Sequence, residues 1–429
     1  MPPLSRSSSV LLIHFPSLHN YGTGMMGINL IHHLRLRRPD IRQVTSDFDN
    51  ESDIAALYNE LGESPERLRI LRRDYLSLYE KCCQSTKLQK LSFLPGLRQA
   101  VLALPLILAG QYRDIVFLGG DGLWEGYYEN GEVPLLAFFQ KLERYAKLHL
   151  VGQTIAPFEN PINLLRLQKL RRTKIYARDT IGYNYLIQES RIPKDSVMRS
   201  SDLALLPLPR QNDAKLRQEL FAQYRLEKDR YVTLVLSGMA TFYTNNTADF
   251  EECWVRLIRN LLQKPELEGK NICLLTHVFS AYGGKSEREV GRDIFSRLSP
   301  AEHERVILIA DEVGPTRARL VLGNSLLVVT ARMHASISAY QMGVPAVVLS
   351  YGPKYKGLIG ETLGFKELLI PADQTEQWET GAIVPRIMAR VSEVLAEREA
   401  WMARIRSSVA TESNHVSASL DDLASRLSH

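Results

Sequence analysis

The chain has 429 residues, of which 45% are hydrophobic and 24% are charged, with a formal net charge of +5. These values are typical of a globular protein and exclude wholesale disorder, and the length suits two domains of about 200 residues each. The charge is only mildly basic, and the sequence has neither the zinc-ligand spacing nor the basic–aromatic motifs of nucleic-acid-binding modules, so nucleic acid is not expected as a partner.

Short apolar runs recur along the whole sequence. Because these runs are continuous rather than alternating, both faces of each are expected to be buried, as in parallel strands covered by helices. Amphipathic segments such as 250–262 and 335–342 separate them, so the order strand, helix, strand repeats. The predicted strands are Val10–Phe15, Ile115–Leu118, Leu148–Val151 and Ile175–Ala177 in the first half, and Tyr231–Leu236, Ile272–Leu275, Val306–Ile309, Leu326–Thr330 and Ala346–Ser350 in the second.

The stretch from Pro207 to Asp229 begins with turn-forming residues and continues as a charged segment before the next apolar run. The sequence therefore predicts an N-terminal α/β domain at 1–206, a linker at 207–229 and a C-terminal α/β domain at 230–429. Open α/β sheets bind ligands at the carboxyl ends of their strands. We therefore expect two Rossmann-like doubly wound lobes that face a central cleft.

The sequence contains no candidate membrane span, since no stretch reaches the ~20 apolar residues that a span requires. The apolar run that ends at Phe15 is too short for the core of a signal peptide, so a cytoplasmic protein is expected. The most apolar stretch, Ala100–Gly110, is bordered by Arg98 and Arg113. It is expected to be either a buried helix or an apolar edge that rests on a membrane.

Glycines follow the first predicted strand, in the segment His19–Gly27. A glycine-rich turn between a strand and a helix lets backbone N–H groups approach an anion at the helix N-terminus. With the helix predicted from Ile28, Asn20 and Gly22 are candidate substrate-binding residues. A simple tight turn is the alternative.

A second glycine loop begins directly after the predicted strand Ile115–Leu118. Gly119 and Gly120 allow the backbone to approach a ligand closely. The carboxylate of Asp121 is a candidate for binding sugar hydroxyls or for a catalytic base.

Two further strands of the first half end in polar residues. Gln153 follows one of them, and Arg178 follows the next, beside Asp179, which can begin a helix. An arginine in this position is suited to clamp a carboxylate or a phosphate. Gln153 and Arg178 are therefore candidate substrate-binding residues, and a structural Arg–Asp pair is the alternative for Arg178.

The densest candidate region lies in the second half. Arg332 and His334 stand between the strand Leu326–Thr330 and a helix, and Lys354 follows the next strand. Arg332 offers a planar fork for phosphate or carboxylate, and His334 offers an acid–base group that titrates near neutral pH. Cations and a histidine that converge from adjacent strands indicate a functional site.

At these residues the sequence resembles the polysaccharide pyruvyl transferase family. The most specific match lies within 324–365, with Arg-Met-His-Ala from Arg332, Gly-Val-Pro from Gly343, and a tyrosine and a lysine ending at Lys354. The other matches are the two glycine loops, the Gly-Gln pair and the Arg-Asp pair. Together the matches span about Leu11 to Phe365, in the family's order. Three residues depart from the pattern: Thr23 replaces an aspartate, Asp121 replaces a third glycine, and Ala156 stands where a glycine is frequent.

The resemblance implies a fold similar to B-type glycosyltransferases. It also implies ketal formation, without a metal or cofactor, between phosphoenolpyruvate and a sugar of a cell-surface polysaccharide or its lipid-linked precursor. His334 is then the candidate general acid, Asp121 the base or an acceptor-binding group, and Arg178, Arg332 and Lys354 the donor clamp. A lipid-linked acceptor is compatible with peripheral contact with a membrane.

Two other functions remain open. The same fold is used by nucleotide-sugar glycosyltransferases and epimerases, although the second half lacks an obvious uridine-binding glutamate pattern. A non-catalytic member that binds a glycan is the third alternative, because a fold does not fix a function.

Overall fold

The computed structural model describes residues 8–15, 17–48, 50–85, 95–155, 157–279 and 284–428. These residues form two parallel β-sheets with helices, which confirms the predicted α/β class. The strands are β1 (Ser8–Ile13), β2 (Ile41–Ser46), β3 (Arg69–Arg72), β4 (Asp114–Leu118), β5 (Lys147–Gln153), β6 (Thr173–Ala177), β7 (Val197–Arg199), β8 (Tyr231–Val235), β9 (Asn271–Leu275), β10 (Val306–Ile309), β11 (Leu327–Thr330), β12 (Ala346–Ser350) and β13 (Leu369–Pro371). The α-helices are α1 (Tyr21–Arg37), α2 (Glu51–Leu61), α3 (Tyr75–Gln84), α4 (Pro95–Gly110), α5 (Pro134–Leu142), α6 (Pro161–Gln168), α7 (Thr180–Asn184), α8 (Ala214–Tyr224), α9 (Thr247–Gln263), α10 (Glu287–Ser296), α11 (Pro300–His303), α12 (Pro315–Gly323), α13 (Met333–Gln341), α14 (Thr375–Glu379), α15 (Ile383–Ala396) and α16 (Arg398–Arg426).

The chain divides into two compact units by its internal contacts. Unit 1 comprises Met1–Ser17, Met26–Asp202 and His415–His429, and unit 2 comprises Leu18–Met25 and Leu203–Asn414. This division differs from the boundaries that the sequence predicted. Leu18–Met25 belongs to unit 2 and His415–His429 belongs to unit 1, and the stretch 207–229 belongs wholly to unit 2.

Long-range hydrogen bonds explain why these two short segments belong to the unit that is distant from them in the sequence. In unit 1, Tyr176 donates from its hydroxyl to Asp422 over 2.9 Å, and the backbone N–H of Ser428 donates to Asp114 over 2.9 Å. In unit 2, the backbone N–H of Tyr21 donates to the carbonyl oxygen of His277 over 3.2 Å. Such long-range pairings leave no local signal in the sequence.

Both sheets are parallel and have the strand order of a doubly wound fold. The order is β3-β2-β1-β4-β5-β6-β7 in unit 1 and β10-β9-β8-β11-β12-β13 in unit 2. Each sheet therefore has a topological switch point, between β1 and β4 and between β8 and β11 respectively, where ligands bind in such folds. Strands β4 and β8 are buried along their whole length, as the continuous apolar runs predict.

The helix α1 begins earlier than predicted. The sequence placed its start at Ile28, whereas the structure starts it at Tyr21. The side-chain oxygen of Asn20 accepts from the N–H of Gly22 over 3.1 Å, which is the geometry of a helix cap. Gly22 therefore lies in the first turn of the helix, and the prediction of a loop here was wrong.

The apolar helix α4 is buried on one side only. Leu106 and Ala109 are buried in the core of unit 1, whereas Leu104 and Ile107 are 52% and 46% exposed. A fully buried helix was one expectation for this stretch, and the exposed residues do not fit it. Among the described residues, no helix is long and apolar enough to cross a membrane. Peripheral membrane contact through this helix stays a prediction.

Candidate functional site

In unit 2, a buried carboxylate holds Arg332 in place. Arg332 follows the end of β11, and its backbone N–H donates to the hydroxyl of Thr330 over 2.8 Å. Its Nε donates to Oε1 of Glu287, the first residue of α10. The side chain of Glu287 is 1% exposed and that of Arg332 is 12% exposed. This pairing fixes the direction of the guanidinium group at the carboxyl end of the sheet.

The charges of this pair depend on each other. Burial alone would lower the pKa of Arg332, but Glu287 raises it, so the guanidinium stays charged. Burial raises the pKa of Glu287, although Arg332 and the N–H groups of His277 and Val278 act in the opposite direction. Those N–H groups donate to Oε2 of Glu287 over 2.8 and 2.9 Å. One carboxylate thus ties the Arg332 side chain to the loop after β9.

His334 is the second residue of α13 and is partly exposed. Gly22 lies against its ring, because a Cβ built on Gly22 would come within 2.4 Å of His334 Nδ1 and 2.5 Å of Cγ. Only a glycine allows this approach of α1. The predicted substrate-binding residue Gly22 and the predicted acid His334 therefore belong to the same unit and are in contact.

The segment before α1 is anchored on the loop after β9. Asn20 forms an antiparallel bridge with Val278, and the N–H of Phe279 donates to the carbonyl oxygen of His19 over 2.9 Å. The side chain of Asn20 caps α1. The structure thus gives Asn20 a role in holding Gly22 near His334.

His277, at the end of β9, is a buried neutral imidazole beside these groups. Burial lowers its pKa well below the usual value, and the nearby charges of His334 and Arg332 act in the same direction. Its ring packs edge-on against Tyr21 at 5.4 Å. Within the described part of the chain, its Nε2 has no hydrogen-bond partner.

Lys354 follows β12 and lies over aromatic rings. Its Nζ is 5.1 Å from the ring centre of Tyr351 and 5.7 Å from that of Tyr355. The same two tyrosines are close enough to Arg332 to raise its pKa. Arg332 and Lys354 therefore share one group of tyrosines, which places the two predicted donor-binding cations in the same part of unit 2.

In unit 1, the glycine loop after β4 packs on the last residues of β5. A Cβ on Gly119 would come within 2.1 Å of the carbonyl carbon of Gly152, so no larger residue fits there. A Cβ on Gly120 would meet only His14 Cε1, at 3.8 Å. The close approach that the sequence predicted thus occurs between the loop and the neighbouring strand at Gly119, whereas space remains beside Gly120.

Asp121 is partly exposed and accepts a hydrogen bond from the hydroxyl of Tyr127. On the other side of the loop lies His14, whose backbone φ of 69° is unusual for a residue other than glycine. Nδ1 of His14 lies 3.1 Å from the carbonyl oxygen of Leu118. His14 is a candidate that the sequence did not single out, because nothing in its neighbours predicts a left-handed backbone.

Gln153, at the end of β5, is 1% exposed. In the described residues neither its Nε2 nor its Oε1 has a hydrogen-bond partner. A buried amide with both polar atoms unsatisfied is costly and rare, so it calls for a ligand or a water molecule. This observation supports a substrate-binding role for Gln153.

Arg178 is also 1% exposed, and its guanidinium is occupied by other side chains. Nε donates to the hydroxyl of Thr154 over 3.0 Å, and a terminal nitrogen pairs with Asp202 at 3.3 Å. Asp179 instead caps the short helix α7 by accepting from the N–H of Gly182. The structural alternative for Arg178 is therefore favoured, with Asp202 as the partner in place of Asp179.

The structure thus places the predicted residues in two groups. Unit 2 contains Asn20, Gly22, Arg332, His334 and Lys354, to which the structure adds Glu287 and His277. Unit 1 contains Gly119, Gly120, Asp121, Gln153 and Arg178, to which it adds His14. His277 lies at a strand end, so the rule that found Arg332 would also have found it.

Comparison with known proteins identifies a family and a relative that match most of the chain. Residues 20–353 match the model of a family described as polysaccharide pyruvyl transferase. The chain is 20% identical over 399 residues to the amylovoran biosynthesis protein AmsJ of Erwinia amylovora, covering 88% of this chain and 91% of AmsJ.

Solved structures show the same fold at low identity. UDP-GlcNAc 2-epimerase from Neisseria meningitidis, bound to UDP-GlcNAc, has a TM-score of 0.58 and 11% identity, covering 96% of this chain and 98% of its own. A glycosyltransferase from Rickettsia africae has a TM-score of 0.52 and 11% identity, covering 98% and 99%. These likenesses confirm the predicted resemblance in fold to B-type glycosyltransferases.

Proposed function

Because this chain belongs to the polysaccharide pyruvyl transferase family, we propose that it transfers a pyruvyl group from phosphoenolpyruvate to two hydroxyls of a sugar. The family membership makes the protein a transferase that acts on polysaccharide. The observation that carries the finer proposal is the arrangement in unit 2, where Glu287 fixes Arg332 two residues before His334. A cation and an acid–base group then stand together at the carboxyl end of β11.

The donor carries a phosphate and a carboxylate, and both need cations and N–H donors. Glu287 occupies Nε of Arg332, and one terminal nitrogen lies 3.2 Å from Sδ of Met239, which is a weak acceptor. The remaining N–H groups of the guanidinium are therefore the donors for phosphoenolpyruvate. Lys354 supplies the second cation beside the shared tyrosines. Because Arg178 is buried in its pair with Asp202, we assign it to ordering the loop around Thr154.

In the proposed reaction His334 donates a proton to the methylene carbon of the donor, which becomes the methyl group of the product. The neighbouring carbon becomes electrophilic, like an oxocarbenium ion, and one sugar hydroxyl adds to it. The bond to phosphate then breaks, and a second hydroxyl closes the ketal. One hydroxyl proton restores His334 and the other leaves with phosphate, so the products are the ketal and inorganic phosphate without a metal or redox cofactor.

Asp121 and Gln153 are proposed to contact the acceptor. A carboxylate and a buried amide are suited to sugar hydroxyls, and both residues lie at strand ends of unit 1. The acceptor is a sugar of a cell-surface polysaccharide or its lipid-linked precursor, and the name of the relative AmsJ supports a role in exopolysaccharide synthesis. Work on such a precursor would take place in the cytoplasm.

The test is incubation of the protein with phosphoenolpyruvate and a panel of free and lipid-linked sugars, followed by mass spectrometry. We expect one class of acceptor to gain a pyruvyl ketal with release of phosphate. His334→Asn is the matched control and should slow turnover by roughly 100-fold, the usual scale for loss of a general acid. A panel without any ketal product would reject the proposal.

A nucleotide-sugar reaction is the second candidate, because the solved structures with this fold include an epimerase bound to UDP-GlcNAc. Thermal unfolding separates the two functions. Stabilisation by phosphoenolpyruvate and not by UDP-sugars supports pyruvyl transfer, whereas the reverse supports the nucleotide-sugar reaction. A non-catalytic glycan-binding protein would be stabilised by neither donor.

A further inference from the structure

A basic cavity of about 330 Å³ lies in unit 1, at the starts of β5 and β6. Gln153 and Arg178 lie at the other ends of these strands. Since a strand rises about 3.3 Å per residue, the six steps from Lys147 to Gln153 place the cavity roughly 20 Å from the strand-end loops. This cavity is separate from the groups assigned to pyruvyl transfer. Its volume is at the lower end of the range for small-molecule sites.

The lining of the cavity is strongly cationic. The lining contains five cations and one acidic residue, namely Lys147, Arg171, Arg172, Lys174, Arg426 and Asp195. Arg426 is already paired with Asp422 at 2.6 Å, so the excess of positive charge comes from the other four cations. Like charges brought together in this way repel one another, and an anion in the cavity relieves the repulsion.

Lys174 lies partly buried in the lining. Burial lowers the pKa of this lysine, although the carboxylates of Asp422 and Asp195 act in the opposite direction. Its Nζ donates to the carbonyl oxygen of Asp195 over 2.7 Å, which points the ammonium group along the cavity wall. An ionic contact in such a place is stronger than one on an open surface.

The cavity also contains a buried histidine. His149 is 2% exposed and is the register partner of Lys174 on the next strand, so the two side chains lie on the same face of the sheet. Nε2 of His149 lies 2.9 Å from Oδ1 of Asp114, and Oδ2 of Asp114 accepts from Ser428. Burial would raise the pKa of Asp114, but the bonds from His149 and Ser428 lower it, so this residue is a carboxylate.

A carboxylate only accepts hydrogen bonds, so Nε2 of His149 carries the proton and donates it. Among the described residues, Nδ1 of His149 has no partner, although it is buried. A hydroxyl of a ligand would satisfy it. The carboxylate of Asp195 is an acceptor for hydroxyls in the same lining.

We propose that this cavity binds a phosphorylated sugar or cyclitol, with the phosphate held by the cations of the lining and the hydroxyls by His149 and Asp195. The same chemistry occurs in a free sugar phosphate and in a phosphoinositide headgroup. The site is independent of phosphoenolpyruvate and of the residues of unit 2.

The experiment measures binding of glucose 1-phosphate by calorimetry, with phosphoenolpyruvate at saturation. A parallel flotation assay uses phosphatidylcholine vesicles with and without phosphatidylinositol 4-phosphate. The variant Lys147→Glu/Arg171→Glu reverses two exposed charges of the lining. The double variant Lys169→Glu/Arg144→Glu is the control, since both of these exposed residues lie outside the lining and the net charge changes equally.

We expect at least one of the two ligands to bind, and the lining variant to weaken that binding by about tenfold or more, as loss of charge-assisted contacts predicts. The control should stay within about twofold. The ligand that binds identifies the source of the phosphate. The proposal is overturned if neither ligand binds, if both variants behave alike, or if inorganic phosphate binds as tightly as glucose 1-phosphate.

Discussion

Gly22 and His334 are in direct contact: a methyl group at Gly22 would lie 2.4 Å from Nδ1 of the imidazole. This contact belongs to one unit although the two residues are far apart in the chain. The first turn of α1 therefore fixes one side of the candidate acid.

Gly22→Ala should displace the ring of His334 and lower kcat by at least about tenfold, because small errors in the position of a catalytic group are costly. Gly291→Ala is the matched control. Its added Cβ would lie 3.6 Å from Leu308, an ordinary contact, and it should keep full activity. Steady-state kinetics of both variants test this, and equal kcat values would contradict the assigned role of Gly22.

Arg332→Ala should weaken the binding of phosphoenolpyruvate by about 3 kcal/mol, because a charge-assisted contact in a partly buried site is lost. Arg332→Lys keeps a cation for Glu287 but lacks the planar fork, so this variant should lose less affinity for phosphoenolpyruvate than the alanine variant does. Calorimetric titration with the donor gives both values. An unchanged affinity in the alanine variant would remove Arg332 from the donor site.

Glu287→Gln should act through Arg332, since Glu287 orients the guanidinium without being assigned to the substrate. We expect KM for phosphoenolpyruvate to rise more than kcat falls. The free energy of unfolding should fall by about 3 kcal/mol, because one partner of a buried pair loses its charge. Glu289→Gln, in the same turn of α10 but exposed, is the control and should leave KM unchanged with a much smaller loss of stability. A lower stability with unchanged KM would indicate a purely structural role.

His277 should make the folded state less stable as the pH falls below 6.5, whereas Glu287, whose pKa burial raises, acts in the opposite direction. The pKa of His277 is lowered in the folded protein, so below the usual value of 6.5 the unfolded chain binds the proton more readily. One such group contributes up to about 1.4 kcal/mol per pH unit in this window. His277→Phe should reduce the slope in chemical denaturation, and His32, whose pKa burial also lowers, should maintain part of it. An unchanged slope would show that the pKa of His277 is the same in the folded and the unfolded chain.

Gln153→Met should raise the free energy of unfolding by about 1 kcal/mol or more, since a buried amide with unsatisfied atoms is replaced by an apolar chain. The same change should lower activity if the amide binds the acceptor. Denaturation and turnover measured on one preparation decide this. A variant that is more stable and fully active would assign Gln153 to no substrate.

The sequence was sufficient for the longer apolar strands of both sheets, including β10 at one edge, and insufficient for β2, β3, β7 and β13. The run at β4 is apolar throughout and was found, whereas β2 includes an exposed Arg42. The outermost strands β7 and β13 have three residues each and leave too short a pattern. The cap residue Asn20 was visible in the sequence, but the glycines after it were interpreted as a turn.

The candidate site shows the same limit. Arg332, His334 and Lys354 were predicted because each follows a buried strand, and that signal is local. Glu287 was missed because its partner Arg332 lies 45 positions further along the chain. The pairing of Arg178 with Asp202 rather than with its neighbour Asp179 is of the same kind.

The division of the chain has a consequence for its biosynthesis. On the ribosome, the seven strands of unit 1 are complete once Arg199 has been made, yet the groups that bind Tyr176 and Asp114 are made only after residues 203–414. The first sheet to be translated therefore lacks these contacts while the whole of 203–414 is synthesised. We expect nascent chains that are stalled before Asp422 to be protected from protease in unit 2 earlier than in unit 1, against the usual N-to-C order of domain folding.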